Sequence, residues 1–183
     1  MNEIAALFLD SILAENVVFV SLWGILLLFL ETEGLRKSLT KGLKITSALM
    51  ISLFLGWLLS SVVGEQLQFI LLVCWISSLV GILFLSRLDL LQGTWLNMPR
   101  FILALAPFTG IQWLVLEQAT TAYFDTIYLI LGTGAGFYLA FILTAAVREQ
   151  LKISELPENL KREPLLMITM GFFALALLGF GFL

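Results

Sequence analysis

The 183-residue chain is 60% hydrophobic and only 13% charged, with a mean hydropathy of +1.03, whereas soluble domains carry about 25% charged residues. That composition excludes a soluble enzyme or a nucleic-acid-binding module and makes the chain an integral membrane protein. One cysteine, Cys74, and no histidine exclude an internal disulfide, a metal site built on several of its own thiolates and all His-based acid–base chemistry.

The first apolar run, residues 4–30, is too long for one simple span. As a straight helix it would measure about 40 Å against a hydrocarbon core of about 30 Å. It also contains Asp10, Glu15 and Asn16. A carboxylate near mid-bilayer costs about 2.5–3.5 kcal/mol even on lenient insertion scales. Either the N-terminal third lies shallow, with both carboxylates reaching external water, or the run breaks near Glu15-Asn16. In the second case Asp10, Glu15 and Asn16 are candidates for a cation or proton path. The start of the chain, Met1-Asn-Glu-Ile, lacks the basic region of a cleavable signal peptide, so it is expected to be retained.

Five further apolar segments follow, over residues 43–63, 67–86, 101–116, 122–147 and 165–183. Gly64-Glu65-Gln66 forms a tight turn between the second and third. The fourth holds Pro107, followed by Thr109-Gly110, near its middle. In the fifth, Gly132-Thr-Gly134-Ala-Gly136 contains one GxxxG pair and reads as a surface for close helix packing. Trp95 and Tyr123 suit an interfacial aromatic belt. Gln112 and Thr109 have the chemistry for interhelical hydrogen bonds, and Arg148-Glu149 reads as an interfacial anchor.

All ten Lys and Arg residues fall in three places: Arg36, Lys37, Lys41 and Lys44; Arg87 and Arg100; and Arg148, Lys152, Lys161 and Arg162. With six crossings these stretches share one face. The positive-inside rule then places loops 31–42, 87–100 and 148–164 in the cytoplasm and both termini outside. Three helices per half force the second half to enter from the opposite side. The expected fold is therefore all-α: one membrane domain of six transmembrane helices in two inverted three-helix halves, residues 1–86 and 98–183, with the first and fourth segments interrupted.

The run Gly136-Phe-Tyr-Leu-Ala-Phe-Ile-Leu-Thr-Ala-Ala-Val-Arg148-Glu149, then Leu156-Pro157, Ile168-Thr-Met-Gly171 and Gly179-Phe180, resembles the C-terminal half of the RnfA/NqrE subunits. These are six-helix membrane subunits of the Rnf and Na⁺-translocating NADH:quinone oxidoreductase complexes. In the first half, Glu15-Asn16-Val17-Val18 stands where the family has an Asn-Asn pair, and Gly24 where its Gly-Leu-Cys begins. The resemblance implies the bacterial inner membrane, membrane partners that include a homologous six-helix subunit, and no nucleic acid. It also implies an iron–sulfur cluster held by cysteines on the first and fourth segments of two such subunits. Here those positions fall at Leu26 and Gly110, neither of which can ligate iron. Cys74, on the third segment, matches neither and reads as packing.

The expected function is a membrane subunit of an Rnf/Nqr-like electron-transport or ion-translocating complex, non-catalytic by itself. It would serve as scaffold or ion path and hold no cofactor or metal, with flavin or iron–sulfur centres in partner subunits. A small stand-alone inverted-repeat transporter or channel is the alternative class, and a structural partner of another large complex is a third. Co-purification with redox subunits separates the first from the second.

Overall fold

The computed structural model describes residues 3–13, 16, 18–19, 25, 28, 35–63, 67–87, 98–118, 123–153 and 163–179. These form helices α1 (Glu3–Ile12), α2 (Leu35–Val63), α3 (Leu67–Arg87), α4 (Met98–Gln118), α5 (Tyr123–Ile153) and α6 (Glu163–Leu178). Two of them, α2 and α5, are each long and apolar enough to cross a membrane. Pro99 and Pro164 each occupy the second residue of their helices, where a missing N–H costs no intrahelical bond.

Three sequence expectations are corrected. First, α2 begins at Leu35, so Arg36, Lys37 and Lys41 lie in helix rather than in a loop. There the Leu35 N–H donates to Glu149 Oε2 at 2.9 Å, so a carboxylate from α5 supports an α2 first turn that has no acidic residue of its own. Second, α5 continues to Ile153 and takes Arg148, Glu149 and Lys152 into its last turns. Third, the fourth segment is not interrupted, because α4 runs unbroken from Met98 to Gln118 with Pro107 inside it. Proline removes one ladder bond, and membrane helices tolerate this where neighbouring helices support the turn. Pro107 and Phe108 are both buried. The first segment does break: α1 ends at Ile12, Leu13 is in a turn and Asn16 is outside any helix.

Close approaches between helices give their directions. Gly132 on α5 lies against Ser11, and Gly136 against Asn16 and Ile12, so α1 runs parallel to α5. Gly42 meets Phe141, Gly134 meets Met50 and Leu35 meets Glu149, so α2 is antiparallel to α5. Gly56 meets Ser77 and Gly81 meets Ser52, making α3 antiparallel to α2. Gly81 against Phe108 and Ser77 against Gln112 make α4 antiparallel to α3. The helices from α1 to α5 therefore alternate in direction.

The core gathers where α2, α4 and α5 face one another, with Leu49, Leu53, Phe108, Ile111, Phe137 and Phe141 fully buried. In lipid, helices associate through packing and interhelical hydrogen bonds rather than by escaping water, so small residues at their seams matter. On α2, Ala48, Ser52 and Gly56 recur every fourth residue. A Cβ added to Gly81 would sit 2.8 Å from Ser52 Cβ and 3.3 Å from the Ala48 carbonyl oxygen. Three buried hydroxyls bond back to their own helices, Ser52 donating to Leu49 O at 2.8 Å, Thr133 to Leu129 O at 2.8 Å and Thr144 to Ala140 O at 2.7 Å, whereas the buried Thr46 Oγ1 on α2 has no hydrogen-bond partner among the described residues.

Candidate functional site

The break in the first segment docks on the glycine face of α5. Beyond the end of α1, Asn16 is fully buried, and both halves of its amide are engaged. Nδ2 donates to the Ile12 carbonyl at 2.8 Å and to the Gly136 carbonyl at 3.0 Å. Oδ1 accepts from the Val18 N–H at 3.1 Å and from the Phe19 N–H at 3.4 Å. One side chain thus caps the last turn of α1, supports the backbone that follows and ties both to α5. A broken helix inside a bilayer needs such a device, because its freed backbone groups find no water.

The three glycines give α1 and α2 their places. A Cβ on Gly132 would lie 2.6 Å from Ser11 Cβ and 3.2 Å from the Phe8 carbonyl oxygen; one on Gly136 would lie 2.9 Å from Asn16 Nδ2 and 3.2 Å from the Ile12 carbonyl oxygen. Gly134 faces another way, and its added Cβ would meet the Met50 side chain, with Cγ at 2.7 Å. Two helices are therefore received on different sides of one glycine-rich turn.

The structure separates Asp10 from Asn16. Asp10 is exposed on α1, while Asn16 is buried and committed to backbone partners. Glu15 and Leu26 lie outside the described residues. Gly110 is buried in α4 and, being glycine, offers no ligand atom. Glu117 is exposed and Asp125 half-buried near helix ends. Among the described residues Thr109 bonds its own helix, to Leu105 O at 3.1 Å and Ala106 O at 2.9 Å.

A second polar cluster lies at the α3–α4 contact. Gln112 Oε1 accepts from Ser77 Oγ at 2.8 Å and Ser78 Oγ at 2.9 Å, while Gln112 Nε2 is buried with no hydrogen-bond partner among the described residues. Both serines also reach their own helix, Ser77 to Val73 O at 2.7 Å and Ser78 to Cys74 O at 2.6 Å. The interhelical capacity of Gln112 was legible in its sequence; Ser77 and Ser78 were missed, although Ser77 and Gly81 repeat the four-residue spacing of small residues seen on α2.

This donor set does not fit a thiolate-held iron–sulfur centre. Cys74 is buried on α3, Gly110 has no side chain, and the chain has no second cysteine or any histidine. Among the described residues no three acidic or thiol side chains converge.

The model of the Rnf-Nqr subunit, membrane protein, family matches residues 4–183. The chain is similar to a component of the proton-translocating ferredoxin:NAD(+) oxidoreductase complex of Clostridium ljungdahlii, at 24% identity over 98% of this chain and 97% of that protein. It is similar to a component of the ion-translocating oxidoreductase complex of Yersinia pestis at 25% identity, again over 98% and 97%. A component of the Na(+)-translocating NADH-quinone reductase of Photorhabdus laumondii is 26% identical, with 98% of each chain covered. The chain belongs to the Rnf-Nqr family of membrane subunits.

Proposed function

We propose that this chain is a scaffold subunit of an Rnf/Nqr-type ion-translocating electron-transport complex, with no redox centre of its own, and that partner subunits hold the flavin or iron–sulfur groups. The observation that carries the scaffold reading is the full engagement of Asn16. An amide whose donors and acceptor are all spent on backbone groups of α1, α5 and the intervening turn holds helices together and has nothing left for a passing cation. Family membership along almost the whole chain supports the subunit role, and the relatives' names supply the kind of complex. One partner is expected to be a homologous six-helix subunit.

The same reading gives a single domain of six spans in the bacterial inner membrane, two inverted halves at 1–86 and 98–183, and both termini outside. The alternating directions of α1 to α5 and the clustering of all Lys and Arg in three stretches support it. Single cysteines introduced at Gly64 and Lys41 in a Cys74→Ser background test the topology. Gly64→Cys should react with an impermeant thiol reagent from outside, and Lys41→Cys only after permeabilisation; the reverse pattern overturns it. Affinity purification from native membranes tests the function. Flavin- or iron–sulfur-containing subunits should come with the tagged chain, and recovery as an isolated homodimer would favour a stand-alone transporter instead.

A further inference from the structure

We propose that the seam between α2 and α5 seats one anionic phospholipid, with its phosphate at the end where Leu35 meets Glu149 and an acyl chain in an apolar groove farther along the same seam. The site is the same whether or not the chain carries a redox centre.

Charge makes the two ends of this helix pair unlike. The antiparallel contact of Leu35 with Glu149 brings Arg36, Lys37, Lys41 and Lys44 of α2 to the same end as Arg148 and Lys152 of α5. Against them these two helices set one carboxylate, Glu149, which already meets the Leu35 N–H. At the other end α2 has no charge and α5 has Asp125. An anionic headgroup is drawn to the first end and repelled at the second.

The groove has a volume of about 340 Å³, and its walls include Met50, Ile51 and Phe54 of α2 and Ile127, Ile130 and Leu131 of α5. These walls present neither small residues nor hydroxyl or amide side chains, the features by which a neighbouring helix is held in lipid. They suit a flexible hydrocarbon chain instead.

One face of α2 joins the basic end to the groove. Arg36, Thr40, Lys44, Ser47, Ile51 and Phe54 recur every third or fourth residue, the spacing of a single helix face, and all are exposed except the half-buried Ser47. Polarity changes at Ser47, whose hydroxyl donates to the Lys44 carbonyl at 2.8 Å. Met50 and Phe54 lie about 9 Å and about 15 Å along the helix beyond Lys44, at about 1.5 Å per residue. A chain that fills one leaflet, half of a hydrocarbon core of about 30 Å, covers that distance. One lipid can therefore engage the cations and the groove together.

The test uses the native assembly in phosphatidylcholine nanodiscs with a trace of phospholipid that carries a photoreactive group at the end of one acyl chain. A phosphatidylglycerol probe should label residues 50–54 or 127–131 about fivefold more than a phosphatidylcholine probe does. Excess unlabelled phosphatidylglycerol should abolish this labelling, and millimolar inorganic phosphate should leave it intact. Arg36→Gln combined with Lys44→Gln should lower it to the phosphatidylcholine level. Ile51→Trp, which fills the groove from an exposed position, should do the same without removing a charge; if that variant fails to assemble, Leu131→Trp, also at an exposed position, takes its place. Equal labelling by the two probes would mean ordinary contact with bulk lipid, and displacement by inorganic phosphate would mean an anion site without a chain. Either result overturns the proposal, as does undiminished labelling in the charge or groove variants, or no labelling of the seam in the wild-type assembly because a neighbouring subunit covers it.

Discussion

Asn16 Nδ2 donates to the Gly136 carbonyl at 3.0 Å, joining the broken first segment to the middle of α5. The contact depends on both residues: the amide alone can serve donors and acceptors together, and glycine alone lets the backbone of α1 come near enough to be reached.

Replacing Asn16 by alanine should therefore destabilise the isolated subunit by about 2 kcal/mol, since it strips acceptors from the Val18 and Phe19 N–H groups where no water replaces them. Asn16→Asp should do no better. It keeps an acceptor but turns an oxygen toward the Ile12 and Gly136 carbonyls that Nδ2 now serves. Reversible unfolding in mixed detergent measures both. A wild-type midpoint for Asn16→Ala would show that the amide is not holding the break.

A graded response is expected along the glycines. Gly136→Ala drives its methyl group toward the Ile12 backbone, at 3.2 Å from the carbonyl oxygen and 3.3 Å from Cα, as well as toward Asn16, and should cost about 1–3 kcal/mol. The nearest atoms to a methyl group in Gly134→Ala all belong to Met50, whose unbranched side chain can rearrange, so this variant should cost less. Gly171→Ala on α6 has nothing within 4 Å of the new Cβ and should be neutral or slightly stabilising, because alanine is the better helix former. Thermal unfolding of the three variants, each in the isolated subunit, ranks them; equal losses at all three positions would contradict the packing argument. Gly136→Leu should abolish folding or assembly.

Much of this helical arrangement could be read from the sequence because the bilayer leaves the backbone few choices. Long apolar runs have to become helices, and the three basic clusters agree with the alternating directions of α1 to α5. Boundaries were less legible. At the start of α2 the Leu35 N–H is met by Glu149, more than a hundred residues later, and no local pattern contains that contact. Pro107 misled for a related reason: proline breaks a helix when its neighbours cannot support the turn, and in α4 both Pro107 and Phe108 are buried. The glycines of α5 were readable as a packing face, but not that Gly136 receives Asn16 while Gly134 receives Met50. Such pairings are settled only when the helices meet.

The Gln112 cluster should respond unevenly to substitution. Gln112→Leu removes a buried Nε2 that has no partner among the described residues, and leaves Ser77 and Ser78 still donating to the Val73 and Cys74 carbonyls. Its cost should stay within about 1 kcal/mol. The double variant Ser77→Ala, Ser78→Ala takes both donors from Gln112 Oε1 and strands the whole amide between α3 and α4; about 1–3 kcal/mol should be lost. Unfolding midpoints for the two variants decide the matter, and a larger loss in Gln112→Leu would mean that Nε2 has an acceptor in the native assembly.

Cys74 supplies the last prediction, which concerns electrons rather than packing. The residue is 1% exposed and sits on α3, while the cluster-ligand positions implied by the family resemblance fall at Leu26 and Gly110. Soft thiolates hold iron–sulfur clusters, and this chain has a single thiol to offer. For Cys74 to ligate, partners would have to bring the remaining ligands to α3, away from the two segments the family uses. Cys74→Ser should therefore leave the iron content and the EPR spectrum of the purified assembly unchanged. The stability cost should be small, about 1 kcal/mol, because a serine hydroxyl can bond back to its own helix as Ser77 and Ser78 do. Loss of an iron–sulfur signal in this one variant, with the other subunits still present, would return the chain to the electron path and overturn the scaffold reading.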